Sequence, residues 1–145
     1  MNRNFKEGEP NPTLIRILWV DDEAFERVEP NELLLKGLNG EIEYVLSGKK
    51  ALEILERKVK DGTLPDLVIS DFNMPGMNGL EFVEAVRAHE DERIKSLPIC
   101  IVSGFVYEED KARLEELGIP VFNFEDAFHE PQKIRQVYEE SKRRD

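Results

Sequence analysis

Three aspartates, Asp21, Asp22 and Asp71, follow directly on short apolar runs. The first two come after "LIRILWV" and the third after "DLVIS", while Ser103 ends the apolar run "LPICIVS". Carboxylates brought together repel one another, and one of them must take up a proton or a cation must join them. A hard divalent cation resolves the conflict. Mg2+ takes oxygen ligands in an octahedron, one or two carboxylates with waters and phosphate oxygens. A carboxylate can also accept a phosphoryl group and become an acyl phosphate. The hydroxyl of Ser103 is suited to hydrogen-bond the phosphoryl oxygens. Each residue taken alone has a plainer reading. "DDE" before a helix is a common N-cap with acidic residues favouring the dipole. Asp71 before "NMPG" is a turn former, and Ser103-Gly104 an ordinary exit from a strand.

The elements that would position these groups alternate along the chain. Strands are expected at Leu14–Val20, Glu41–Ser47, Asp66–Ser70, Leu97–Ser103 and Ile119–Phe124, where short apolar runs are rich in β-branched residues. Helices are expected at Glu23–Leu38, Gly48–Lys60, Asn78–Glu90, Glu108–Gly118 and Glu130–Arg144, from apolar positions at helical spacing. Pro30 should end, kink or restart the first of these. Gly118 should stop the fourth, and Pro131 suits the first turn of the fifth. Five strands alternating with five helices predict an α/β fold, a flavodoxin-like doubly wound parallel sheet in the order 2-1-3-4-5. In such a sheet the ligand site lies at the carboxyl ends of the strands, beside the point where strand order reverses. Strands 1 and 3 are then neighbours, so Asp21, Asp22 and Asp71 converge, with Ser103 one strand further on. Residues 1–12 read as a flexible N-terminal arm and residues 13–145 as one domain.

Composition narrows the function classes. The chain has 145 residues and a net charge of −11, from 31 acidic and 20 basic side chains. Direct contact with nucleic acid needs a basic stripe, which this balance argues against. No apolar run approaches the ~18–20 residues of a membrane helix, so no membrane insertion is expected. The single cysteine, Cys100, lies inside an apolar run and reads as a small buried hydrophobe. A cytoplasmic location is the expectation.

Three stretches carry a specific resemblance. "ILWVDDEAF" is similar to the first strand and acidic pair of the receiver domains of bacterial response regulators. "DLVISDFNMPGMNGLEFVEAVR" resembles their phosphoacceptor strand and following loop, and "LPICIVSG" their fourth strand. The likeness runs from about Leu14 to the last helix and implies a stand-alone, CheY-like receiver. By resemblance, Asp71 accepts phosphoryl from a sensor histidine kinase or phosphotransfer protein. Asp21 and Asp22 hold Mg2+ (or Mn2+), Asp22 as the more direct ligand, with Asp71 and the backbone carbonyl of Asn73 completing the protein's share. Ser103 binds a phosphoryl oxygen and moves with it, and Phe122 stands at the place of the rotating aromatic switch. Asn73 and Phe105 occupy the two positions that gate the water attacking the acyl phosphate. A downstream protein partner reads the helix 4–strand 5–helix 5 face.

One position departs from the family pattern. The lysine expected at the end of strand 5, usually followed by proline, is replaced by Glu125, followed by Asp126. The loop after strand 5 is therefore expected to take a different path. Two readings follow. In the first, the protein is a response regulator receiver that signals through protein contacts and catalyses at most its own phosphotransfer and dephosphorylation. In the second, it is a degenerate receiver, a binding module read whether or not Asp71 is modified. A phosphotransferase or phosphatase of the D-x-D type is disfavoured, because Asn73 holds the second position.

Overall fold

The computed structural model describes residues 14–26, 32, 34 and 36–143. The expected arm at residues 1–12 and the expected break at Pro30 lie outside the described residues. Strands β1 (Ile15–Val20), β2 (Gly40–Val45), β3 (Leu67–Ser70), β4 (Ile99–Val102) and β5 (Val121–Phe122) form one sheet in the order β2-β1-β3-β4-β5. Every pairing is parallel, in the order the alternation predicts. The register sets Val20 beside Val45 and Ser70, and Ser70 beside Ile101. The strand ends that carry the aspartates therefore lie level.

All four residues of β3 and all four of β4 are buried, as expected for parallel strands covered on both faces. Alternate side chains feed two cores. Leu18, Val20, Val68, Ile99 and Ile101 meet Leu55 of α1 (Gly48–Asp61), Phe82 and Val83 of α2 (Gly79–Arg87), Ile94 of α3 (Glu92–Lys95) and Leu114 of α4 (Glu108–Glu116). On the other face Ile15, Ile17, Trp19, Ile69 and Cys100 meet Leu34, Leu38, Ala127 of α5 (Phe124–His129) and Ile134 and Tyr138 of α6 (Pro131–Arg143). Cys100 is fully buried, and burial pushes its thiol pKa up.

Local sequence sets the helix ends. Ser47 Oγ accepts from Lys50 N–H to start α1, and Gly62 ends it at φ 71°. Asn78 and Glu81 form a reciprocal capping box at the start of α2, with bonds of 2.9 and 3.0 Å. Ala24–Glu26 is a turn of 3-10 helix, and residues 32, 34 and 36–38 are helical.

Two elements correct the expected pattern. The third expected helix stops at Arg87, and a separate turn, α3, follows, capped by Asp91. Four residues are too few to display a helical period, which is why the sequence hides it. The fifth expected strand shrinks to Val121–Phe122. Phe124, Glu125 and Asp126, expected at its end, instead open α5, because Asn123 Oδ1 accepts from Asp126 N–H at 2.7 Å and caps a new helix. Every peptide bond among the described residues is trans, Glu125–Asp126 included.

Candidate metal and phosphoryl site

The backbone ladder carries each acidic residue one step past its strand. Asp21 N–H donates to Val45 O at 2.9 Å, and Asp71 N–H donates to Val20 O at 2.8 Å. Asp21 and Asp71 are 1% and 4% exposed, and Asp22 is half-buried. One carboxylate oxygen from each of Asp21, Asp22 and Asp71 lies within 4.8 Å of the others. Two unit charges at that separation repel by about 3–4 kcal/mol at an effective dielectric of ~20. The donor set is all oxygen and anionic, which suits a hard divalent cation such as Mg2+ and not a soft one.

Asp71 is held in one orientation. Its Oδ1 accepts from its neighbour Phe72 N–H and from Ser103 Oγ, both at 2.7 Å. Ser103 N–H donates to Phe122 O at 3.0 Å, so the serine sits where β4 meets β5. Asp21 Oδ1 accepts from Glu23 N–H at 2.9 Å, an N-cap-like bond that coexists with the carboxylate cluster.

Gly79 lets α2 seat directly on the strand end. Its N–H donates to Phe72 O at 2.8 Å, and a Cβ there would lie 2.7 Å from Asp71 O and 2.9 Å from Phe72 Cα. The two loops flanking Asp71 are tied together. Asn73 Nδ2 donates to Phe105 O at 3.1 Å. The Phe105 ring is 58% exposed and meets Tyr107 edge-on, with centroids 4.9 Å apart.

The remaining expected residues fall as follows. Phe122 is half-buried and packs against the core that contains Trp19. Glu125 is exposed in the first turn of α5 and is not among the converging carboxylates. The ring of Phe124, its neighbour, lies against Gly104: a Cβ at that glycine would be 3.4 Å from it. Sequence reasoning set Phe124 at the end of strand 5 without a role, and it missed Tyr107 and Asp110. These last two, with Asp22, Asn73 and Asn78, wall a cleft of about 450 Å³ beside the carboxylates. Spacing signals neither, because both lie in or just after a loop whose path only the fold reveals.

Comparison with known proteins extends this geometry. Residues 17–122 match the family described as the response regulator receiver domain. The chemotaxis protein CheY-3 of Vibrio cholerae is 33% identical over 106 residues, 72% of this chain and 75% of that protein. A protein-glutamate methylesterase/protein-glutamine glutaminase of Pseudomonas aeruginosa is 28% identical over 128 residues. That match covers 85% of this chain but 32% of the methylesterase, so the chain spans about a third of that relative. Among solved structures, a CheY-like receiver domain protein from Methanospirillum hungatei superposes with a TM-score of 0.70 at 20% identity. It covers 92% of this chain and all of that one.

Proposed function

Because the chain belongs to the response regulator receiver family of two-component systems, we propose that Asp71 is its phosphoacceptor, working with Mg2+ (or Mn2+) held by Asp21, Asp22 and Asp71. The backbone carbonyl of Asn73 supplies a further ligand. The observation that carries this reading is the Ser103 Oγ–Asp71 Oδ1 bond of 2.7 Å beside three carboxylates within 4.8 Å. The cation, when bound, offsets the carboxylate charge and the charge of the incoming phosphoryl oxygens. An Asp71 carboxylate oxygen attacks the phosphorus of a phosphohistidine on a sensor kinase or phosphotransfer protein. The new O–P bond forms as the N–P bond breaks, and the imidazole leaves. Ser103 Oγ then turns from the carboxylate to a phosphoryl oxygen, and Phe122, one bond away through Phe122 O and Ser103 N–H, follows. Asn73 and Phe105 border the approach of the hydrolytic water.

The protein acts as a signalling component, with no turnover beyond its own phosphotransfer and dephosphorylation. Its downstream partner reads the face made by α4, β5 and α6, which corresponds to the helix 4–strand 5–helix 5 face of the sequence. Among the described residues no helix is long and apolar enough to cross a membrane. The reading puts the protein in the cytoplasm, with residues 13–145 as the receiver and 1–12 as an arm.

A second reading rests on one observation, that Glu125 stands in the lysine position and opens a helix. On this reading the protein is a degenerate receiver whose surface is recognised without phosphorylation. Mass spectrometry of the protein incubated with acetyl phosphate and Mg2+ separates the two. The first predicts one phosphoryl group, lost in Asp71→Asn. An unmodified wild type under those conditions selects the second.

A further inference from the structure

A second cleft, also about 450 Å³, opens at the opposite end of the sheet from the carboxylates. It lies where β4 begins, at Ile99, whereas Ser103 follows the end of β4. Four strand residues at ~3.3 Å each separate the two sites by roughly 13 Å. The walls are apolar at Leu97, Pro98 and Val137, and the charged lining is Arg87, Arg93 and Glu140. In a chain of net charge −11, a cleft whose lining carries more cations than anions stands out.

The two arginines are in different states. Arg93 already has a charge partner: Nε and Nη2 donate to the two oxygens of Asp91 at 3.1 and 2.8 Å. Arg87, in the last turn of α2, is half-buried, and among the described residues its guanidinium makes one hydrogen bond, from Nη1 to Lys95 O at 2.8 Å. A guanidinium has five N–H donors. Among the described residues no carboxylate pairs with Arg87, and burial alone draws its pKa below the ordinary arginine value. A guanidinium stays charged at neutral pH under such a shift, so a desolvated cation with spare donors faces the cleft.

We propose that this cleft is a binding site for a small organic carboxylate, its head on the Arg87 guanidinium and its apolar body between Leu97, Pro98 and Val137. The planar fork of arginine matches a carboxylate with two parallel bonds. With Asp91 paired to Arg93, the charged lining that remains is Arg87 and Glu140. A monoanion can pair with Arg87, whereas a dianion such as a phosphate monoester brings a second charge that Glu140 repels. A volume of this size lies within the range of small-molecule sites. The inference is independent of the phosphoacceptor reading, since it uses none of the residues at the carboxylate end.

Benzoate is the probe, with benzamide as its neutral isostere, in an amide chemical-shift titration of the whole chain. Benzoate is expected to give saturable shifts at Arg87, Leu97, Ile99, Leu117 and Gly118. Benzamide should bind at least about tenfold more weakly, because it cannot form the charge-assisted pair. Arg87→Gln should weaken benzoate by a similar factor, and Arg87→Lys should retain part of the affinity as a point charge without the fork. Equal binding of benzoate and benzamide, benzoate affinity unchanged in Arg87→Gln, or no saturable shift in this region overturns the proposal. If Arg87→Gln does not fold, the benzoate–benzamide comparison and Arg87→Lys decide it.

Discussion

Asp71 owes its candidate role to what touches it and not to its type. Its Oδ1 accepts two hydrogen bonds of 2.7 Å, and two further carboxylates stand within 4.8 Å. Removing one of those carboxylates should cost cation affinity directly. Asp22→Ala is expected to weaken Mg2+ binding by about tenfold or more, the ~1.4 kcal/mol that a tenfold change represents being less than one pairwise charge term. A calorimetric titration of both proteins checks this, and equal affinity removes Asp22 from the site. Phe105→Ala is expected to shorten the life of an acyl phosphate on Asp71, followed by loss of label after donor removal; an unchanged lifetime takes the Phe105 ring out of that role. Sequence legibility at this scale was uneven for a physical reason. The three aspartates and Ser103 sit at strand ends, and each of those ends is marked by the close of a short apolar run. Tyr107 and Asp110 reach the cleft from the N-cap and first turn of α4, whose position over the site is set by a preceding loop with no period to read.

Elements hold these residues in place through close contacts that tolerate little change. The capped start of α2 lies on the backbone of Asp71 and Phe72, with no room for a methyl group at Gly79. Gly79→Ala is expected to destabilise the fold by about 1–3 kcal/mol through overpacking. Gly62→Ala, at φ 71° with open space around it, should cost only about 1 kcal/mol of backbone strain. Urea denaturation of the two variants compares them, and a reversed order would contradict the packing argument. The end of β5 shows the opposite limit of legibility. "IPVFNF" reads as one strand on paper, yet Asn123 caps a helix inside it, and Glu125 is exposed in the first turn of that helix. A lysine at 125 would start from the same exposed turn. Glu125→Lys is therefore expected to leave the response to a beryllofluoride mimic small on the α4–β5–α6 face, as in the wild type. A large spectral change on that face in the wild type, not increased by the lysine, would mean that another group has taken over the coupling.

For the whole molecule, alternation of apolar runs with amphipathic stretches was enough to give strand order, because short right-handed crossovers leave few arrangements. Burial on both faces of β3 and β4 follows from the same runs. What the pattern could not reveal was that the sheet weakens toward one side. β1 pairs over all six of its residues with β2, whereas β5 contributes two. Hydrogen exchange should register this asymmetry, since amides that open only with the whole sheet exchange slowest. The amides of Val68–Ser70 and of Asp71 are expected among the slowest, and that of Ser103, bonded to Phe122 O, well ahead of them. The candidate cation ligands then belong to the part of the protein that opens last, and the hydroxyl facing them to a margin that breathes. A site divided in this way can keep its charge in place while its hydroxyl changes partner, because loss of the Ser103 bond leaves Asp71 Oδ1 still held by Phe72 N–H.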